Sequence, residues 1–299
     1  MEITETFHKP AIKQTWLRII LFILMYLLGS GILSIFVGIL LTLINGWSMQ
    51  ELQAMMSSSG NFSMMIFSQL MSLIAAGLSI WIFRKYVDRR SIVSLGFKIK
   101  GKLKDVVAGL LLGGLIQGAG FVILYYTDQL TVTEIVFNAN AFFSSLFLFV
   151  IVGLVEESVM RGYILGNLLE HMKNRYLALF ISAVIFALFH GLNPNITLLG
   201  FINLILAGFV LGIAYIHTRN LWFPVFLHIS WNFFQGPVFG FEVSGINTEA
   251  VINHHVTGNN LITGGKFGFE GSVLITILLI AVTFGIDLLY RKIESKKIG

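Results

Sequence analysis

The sequence predicts an all-α, polytopic membrane protein of about eight transmembrane helices, with the N- and C-termini in the cytoplasm. Three observations lead to this prediction: the composition, the spacing of apolar segments, and the distribution of basic residues. The chain of 299 residues is 56% hydrophobic and only 12% charged, with a mean hydropathy of +0.84. Soluble domains are about 45–50% apolar and about 25% charged, so the composition excludes a soluble protein.

Eight segments are read as spans, because a transmembrane helix needs about 20 mostly apolar residues. They are 16–44, 62–83, 106–126, 141–169, 176–192, 196–216, 221–241 and 272–290. The fifth ends before Pro194, which cannot easily continue a helix, and the seventh begins near Pro224, which a first helical turn tolerates. Little polar chain remains between the segments, so residues 1–299 are predicted to form a single transmembrane domain.

The basic residues predict the orientation of the chain. Of the 20 Lys and Arg residues, Arg161 lies inside the fourth segment and Lys266 lies in the loop 242–271. The other 18 share one side if eight segments alternate: Lys9, Lys13, Arg18, Arg84, Lys85, Arg89, Arg90, Lys98, Lys100, Lys102, Lys104, Lys173, Arg175, Arg219, Arg291, Lys292, Lys296 and Lys297. The positive-inside rule assigns this side to the cytoplasm. The net charge of +5 is then a consequence of topology, and it indicates no nucleic-acid partner.

Three charges fall within six residues of the fourth segment, in the stretch EESVMR that begins at Glu156. Each charge in hydrocarbon costs roughly 2.5–3.5 kcal/mol even on a lenient scale. Glu157 and Arg161 are four residues apart and can pair on one helix face. Glu156 lies about 100° around the helix, needs another partner, and is a candidate general base. A purely structural ion cluster is the alternative.

Two further polar pairs occur at helical spacing. Phe186 and His190 share a face where the fifth segment ends, and His228 and Asn232 share a face in the seventh. His228 and Asn232 can aim two donors at one point, as an oxyanion requires. The structural alternatives are a capping role for His190 and interhelical hydrogen bonding for the second pair, worth about 0.6 kcal/mol on average.

The depths of the three motifs agree only in part. Glu156 and His190 each stand 14 residues from the cytoplasmic end of their segment (156 to 170 and 176 to 190), roughly 21 Å along a helix. His228 stands 7 residues from the start of its segment (221 to 228), roughly 10 Å. The third motif reaches the others only if the 217–220 turn is sunk into the protein or the helices tilt.

The remaining polar candidates are interpreted as structural. They are His8, His171 and His217 at the cytoplasmic boundary, His254 and His255 in the 242–271 loop, Gln69 and Gln117 as packing or cavity groups, and Asp287, which can pair with Arg291 at i+4.

In order, the three motifs resemble those of the CPBP family of intramembrane proteases, also called the CAAX-protease and bacteriocin-processing, or Abi, family. The family pattern is EExxxR, then FxxxH, then HxxxN or HxxxB on successive membrane helices. Here it stands as Glu156-Glu157-x-x-x-Arg161, Phe186-x-x-x-His190 and His228-x-x-x-Asn232. The resemblance covers about residues 140–241, the expected catalytic core, and the first three segments match only in hydropathy.

The resemblance implies hydrolysis of a peptide bond in a membrane-associated peptide or protein. Glu156 would activate the attacking water, His190 would hold and polarise it, and His228 and Asn232 would stabilise the oxyanion. The supporting residues would be Glu157, Arg161 and Phe186. Eukaryotic members cleave prenylated CAAX proteins. The short chain resembles bacterial members, which implies a multi-pass protein of the bacterial plasma membrane and makes a prenylated substrate less expected.

No cofactor is favoured, and zinc is the alternative. The chain has no cysteine, so thiol catalysis and a cysteine zinc site are excluded, and it has no HExxH motif. Catalytic zinc usually takes three protein ligands, which Glu156, His190 and His228 could supply. The metal-free glutamate mechanism is preferred.

Two other classes of function stay open. The first is a non-catalytic membrane scaffold or bacteriocin-immunity protein that binds a peptide or a sensor kinase, although such a protein has no need of buried charges. The second is a transporter, since buried carboxylates also mark ion pathways. Transporters often have repeated halves, and the sequence contains no such repeat.

Overall fold

The structure is a computed structural model that describes residues 9–46, 48, 50–51, 62–245 and 247–298. All eight predicted segments are helical. They form α1 (Thr15–Asn45), α2 (Phe62–Asp88), α3 (Leu103–Tyr126), α4 (Ala139–His171), α5 (Arg175–Phe189), α6 (Leu198–Thr218), α7 (Trp222–Phe233) and α8 (Val273–Ile298). His8, one of the sequence candidates, lies outside the described residues.

Six helices are long and apolar enough to cross a membrane: α1, α2, α3, α4, α6 and α8. The other two are shorter, because α5 has 15 residues and α7 has 12 before it continues into a π-helical turn, Phe234–Val238. The predicted all-α polytopic membrane fold is therefore confirmed at this level. The count of eight spans stays a prediction.

A small antiparallel sheet adds to the helical fold. Strand β1 (Leu130–Ile135) follows α3 and pairs with β2 (Ile252–Val256) from the 242–271 loop, with an irregularity between Val132 and Glu134. The two strands are short, with the sequences LTVTEI and INHHV. Their pattern is a weak signal for a sheet compared with the apolar segments of about 20 residues. We call the end of the helix bundle that carries this sheet the sheet end, and the opposite end the basic end.

The loops predicted to share the cytoplasm contact one another at the basic end. The Ala11 amide donates to the Val87 carbonyl, and the Leu221 amide donates to the Gly96 carbonyl. Arg90 in the α2–α3 connection pairs with Glu170 at the end of α4. These contacts bring the described parts of three connections and the segment before α1 to one end of the bundle, as the distribution of basic residues predicts, while the alternation of eight spans stays a prediction.

The 217–220 turn is partly covered at the basic end, because Asn220 is buried whereas Arg219 is exposed. Leu221 is fully buried, and Tyr215 donates its hydroxyl proton to the Leu95 carbonyl at 2.9 Å. The Asn220 amide donates to the Lys98 carbonyl at 2.8 Å. The segment before α3 thus covers the start of α7, which is one of the two arrangements that would let the third motif reach the other two.

Small residues bring α7 close to α3. A Cβ atom added at Gly109 would lie 2.6 Å from the Phe223 carbonyl oxygen, and one at Gly113 would lie 2.7 Å from the Trp231 amide nitrogen. Such contacts are closer than real Cβ atoms adopt, so only glycine allows this approach of the two backbones. The spacing of four between these glycines therefore fixes the position of α7, the helix that carries the third motif.

Buried ion networks hold the basic end together. Asp287 pairs with Arg291 at 2.8 Å, as predicted, and also accepts hydrogen bonds from His217 at 2.8 Å and Tyr176 at 2.9 Å. Arg18 pairs with Asp88 at 2.7 Å, and both side chains are almost fully buried. These contacts join α1 to α2 and α8 to α5 and α6, consistent with the structural interpretation of His217 and Asp287.

Candidate active site

The three motifs meet at one cavity of about 310 Å³. Glu156 reaches it from α4, His190 from the end of α5, and His228 and Asn232 from α7. The cavity is bounded on its other sides by α1, α2, α6 and the loops of the sheet end. The four residues predicted to be catalytic are therefore neighbours in space, although 76 residues separate the first from the last.

Glu156 is the least restrained of the motif carboxylates. Its Oε2 atom is buried, has no hydrogen-bond partner among the described residues, and lies 3.6 Å from His190 Nε2 and 3.9 Å from His228 Nε2. Both distances exceed those of direct hydrogen bonds. The side chain is 23% exposed, whereas Glu157 is fully buried.

His190 is held by the helix end on which it stands. Its Nδ1 lies 2.8 Å from the Phe186 carbonyl oxygen. A carbonyl can only accept, so Nδ1 carries the proton in this contact, and Nε2 is the atom that faces Glu156. The rings of Phe186 and His190 are 4.5 Å apart. The imidazole of His190 is thus oriented by a hydrogen bond to the backbone carbonyl of Phe186, which lies one helical turn earlier in the FxxxH motif.

His228 is held by the second glutamate of the first motif. Its Nδ1 lies 2.8 Å from Glu157 Oε1, the same oxygen that accepts from Arg161 Nη1 at 2.8 Å. Arg161 also donates to the Gly208 carbonyl at 3.2 Å, and its guanidinium lies 4.6 Å from the Phe186 ring centre. The Glu157–Arg161 pair expected from i,i+4 spacing is present, and it connects α4 to α5, α6 and α7.

The π-helical turn in α4, Ser158–Leu165, begins directly after the two glutamates. Such turns insert an extra residue into a helix and often occur at functional sites. Glu157 and Arg161 still pair across its start.

Asn232 contributes an amide to the cavity. The residue is 5% exposed and lines the cavity, and its side-chain amide forms no hydrogen bond with any residue that the structure describes. Interhelical hydrogen bonding, the structural alternative for this residue, is thus not seen within the described residues.

Glu270 is a cavity residue that sequence reasoning missed. It comes from the sheet-end loop, is 8% exposed, and accepts from Trp231 Nε1 at 3.0 Å and from Ser244 N and Oγ at 3.0 and 2.7 Å. Trp231 is the neighbour of Asn232, so Glu270 ties the loop to α7 beside the site. An acidic residue inside the aromatic stretch KFGFEG was the available signal.

The two glutamines singled out in the sequence differ in position. Gln69 lines the cavity from α2. Gln117 is fully buried and donates to Gln235 Oε1 at 3.0 Å, and Gln235 in turn donates to the Glu242 carbonyl at 2.7 Å. Gln117 is therefore a packing group that supports the start of the sheet-end loop.

Among the residues that the structure describes, no group of three or more His, Cys, Asp or Glu side chains is arranged to hold a metal ion. The three side chains named as possible zinc ligands do face the same space, with Glu156 Oε2 3.6 Å from His190 Nε2 and 3.9 Å from His228 Nε2. His228 Nδ1 and His190 Nδ1 are both engaged elsewhere, so only their Nε2 atoms could coordinate.

Residues 138–234 match a family model described as Type II CAAX prenyl endopeptidase Rce1-like. The matched range contains all three motifs and the helices α4 to α7 that carry them. The resemblance predicted from the motifs is therefore confirmed over this segment. No curated protein and no solved structure gives a significant match.

Proposed function

We propose, taking the match to type II CAAX endopeptidases as the premise, that this protein is an intramembrane endopeptidase that uses glutamate-activated water. The observation that carries the proposal is the convergence of Glu156, His190, His228 and Asn232 on one cavity inside a helical membrane fold. The catalytic core is assigned to residues 140–241, within a single transmembrane domain.

Glu156 is the proposed general base. It is the motif carboxylate that lines the cavity, and its side chain is 23% exposed, whereas Glu157 is fully buried and bonded to Arg161 and His228. A water held between Glu156 Oε2 and His190 Nε2 could give a proton to the carboxylate while its oxygen attacks the peptide carbonyl. The 3.6 Å separation of these two atoms suits groups that act on a shared water rather than on each other.

His228 and Asn232 are the proposed oxyanion donors. Helical spacing puts the His228 imidazole and the Asn232 amide on one face of α7, and both line the cavity beside Glu156. To donate from Nε2 while Nδ1 donates to Glu157, His228 must carry protons on both nitrogens. Removing one such oxyanion donor by mutation usually lowers kcat by about 10²–10³-fold.

Glu157, Arg161 and Phe186 are proposed to position the catalytic groups. Glu157 orients His228, and Phe186 orients His190 through its carbonyl. Arg161 neutralises Glu157 and packs on the Phe186 ring. These three residues thus act through others and need not touch the substrate.

The proposed setting is the plasma membrane, crossed eight times, with both termini and the basic end in the cytoplasm. The shorter helices α5 and α7 would cross together with the loops that adjoin them. The substrate would be a membrane-associated peptide or protein, and nothing in the mechanism requires a prenyl group.

The proposed chemistry needs no metal, and zinc held by Glu156, His190 and His228 is the alternative. Strong chelators separate the two, since zinc chemistry would be lost on dialysis against a chelator and restored by Zn²⁺. Full activity after chelation would support the glutamate mechanism, and loss with recovery by Zn²⁺ would replace it.

The direct test is cleavage of membrane-anchored peptides by the purified protein in lipid vesicles, followed by mass spectrometry. We expect discrete cuts within the apolar part of the peptide. Glu170→Gln, which alters a carboxylate on the same helix at the basic end, should cleave as the wild type does. Peptide binding without cleavage by the wild-type protein would instead favour the scaffold or immunity-protein alternative.

A further inference from the structure

A second cavity of about 330 Å³ lies at the sheet end, between the beginnings of α2 and α4 and the loop 247–249. Its lining is mostly polar, unlike that of the catalytic cavity. The polar groups include the side chains of Asn138, Asn140, Ser144, Ser145 and Thr248, and the carboxylate of Glu249.

The two cavities lie on the same pair of helices in consecutive turns. On α4, Ser144 and Ser145 line the polar cavity, and Leu148 and Phe149 in the next turn line the catalytic cavity. On α2, Phe62 lines the polar cavity, and Met65 in the next turn lines the catalytic cavity. The two cavities are thus one helical turn apart along both α2 and α4.

The polar cavity contains hydrogen-bonding groups that the protein leaves unused. Ser145 is 1% exposed, lines the cavity, and its hydroxyl forms no hydrogen bond with any described residue. Thr248 Oγ1 is buried and likewise lacks a partner within the described part of the chain. An unpaired hydroxyl at a nearly buried position is unfavourable. Thr248 Oγ1 faces Gly236, so it is the Ser145 hydroxyl that points to a ligand in the cavity.

The charge of the polar cavity is negative. Glu249 accepts a hydrogen bond from the neutral Asn138 amide at 2.8 Å. No Lys or Arg is among the described residues that line the cavity, so Glu249 has no cationic neighbour within that lining. A ligand with a positive charge would therefore complete the site.

From these observations we infer that the polar cavity is a substrate subsite for a hydrogen-bonding, basic stretch of the peptide that is cut at Glu156. The inference rests on the proposed protease function. Amides and hydroxyls that both donate and accept suit a peptide backbone drawn out of its helix, and Glu249 would pair with a Lys or Arg side chain.

The distance from the polar cavity to Glu156 predicts where the basic residue lies in the substrate. Ser145 precedes Glu156 by 11 residues, and Asn138 precedes it by 18. At about 1.5 Å per residue of helix these separations are roughly 16 and 27 Å. An extended peptide covers about 3.3 Å per residue, so the basic residue should lie about five to eight positions from the cleaved bond.

The test uses matched membrane-anchored peptides that carry Lys, Ser or Glu at each of these positions. With the wild-type protein, the Lys peptide should show a KM about tenfold lower than the Glu peptide, with little change in kcat. Glu249→Lys should reverse this order, so that the Glu peptide becomes the preferred one. Added salt should reduce the preference, because part of it is electrostatic.

Two controls separate this inference from the proposed function. Glu134→Lys makes the same charge change on exposed strand β1, outside both cavities, and should leave the preference intact. Binding of the same peptides to Glu156→Gln protein, measured by fluorescence anisotropy in vesicles, reports on the subsite without cleavage. Equal affinity for the Lys and Glu peptides, or no reversal in Glu249→Lys, would overturn the subsite, whereas charge-dependent binding without any cleavage would overturn only the protease.

Discussion

At the scale of single residues, the first motif divides into two kinds of glutamate. Glu157 is fully buried and bonded to Arg161 and His228 through one oxygen, whereas Glu156 lines the cavity beside two imidazoles, too far from either for a direct hydrogen bond. Helix geometry alone predicted this division, because i,i+4 spacing pairs Arg161 with Glu157 and leaves Glu156 about 100° away. The role of Glu157 in holding His228 was not predictable, since it depends on a contact across 71 residues.

Asn232 offers a test of the oxyanion proposal. Asn232→Ala should lower kcat by about 10²–10³-fold, the usual loss for one oxyanion donor, with KM little changed. Steady-state cleavage of a membrane-anchored peptide measures both constants. An effect confined to KM would mean that the amide binds substrate but does not stabilise the transition state.

Arg161 offers a test of the positioning role. Arg161→Met removes the guanidinium partner of the buried Glu157 carboxylate and leaves it only the hydrogen bond from His228 among the described contacts, so the free energy of unfolding should fall, by at most about 3–5 kcal/mol. Adding Glu157→Gln removes that charge and should recover part of the stability, while activity stays low because His228 loses its anionic partner. Thermal unfolding in detergent and peptide cleavage measure the two quantities. If the double variant recovered both its stability and its cleavage activity, a role for Glu157 in orienting His228 would be contradicted.

At the scale of elements, the apolar helices were predictable and the sheet-end loop was not. All eight apolar segments are helices, because each carries its signal over some twenty residues. Strands β1 and β2 and the Glu270 contact to Trp231 and Ser244 depend on chain segments that are far apart in the sequence. The contacts of Leu95 and Lys98 with the 217–220 turn were not predictable for the same reason.

We expect the β1–β2 sheet to be less stable in acid, because His254 is then protonated. This side chain packs between the rings of Phe241 and Phe121, at 4.8 and 6.1 Å, and burial lowers its pKa from the ordinary value of about 6.5. The neutral form is thus favoured in the folded sheet, so its contribution to stability is present above about pH 6.5 and is lost as pH falls below that value.

Hydrogen exchange of residues 252–256 at pH 8 and pH 5 measures this effect after correction for intrinsic rates. We expect less protection at pH 5 in the wild type and no pH difference in His254→Leu. His255→Leu, which changes the exposed neighbour, should keep the wild-type response. The same pH response in both variants would rule out His254 as its source.

At the scale of the whole molecule, the orientation in the membrane is a prediction from the distribution of charge. The loops with 18 of the 20 basic residues were predicted to share one side, and the described parts of those loops meet at the basic end. The chain has no cysteine, so single cysteines can report on sidedness. Thr133→Cys at the sheet end should react with an impermeant thiol reagent on intact cells, and Ser295→Cys at the basic end should react only after permeabilisation. The reverse pattern would invert the topology.

The proposed mechanism depends on Glu156 as the base that activates water, because the other motif residues are proposed either to position groups around it or to stabilise the oxyanion that the attack of that water forms. The most direct measurement is the single-turnover cleavage rate of a bound, membrane-anchored peptide by Glu156→Gln protein, with peptide affinity measured in the same vesicles. General-base catalysis contributes about 10²–10⁴-fold, so we predict a loss of that size with affinity unchanged. A Glu156→Gln protein that binds the peptide and cleaves it at the wild-type rate would contradict the mechanism.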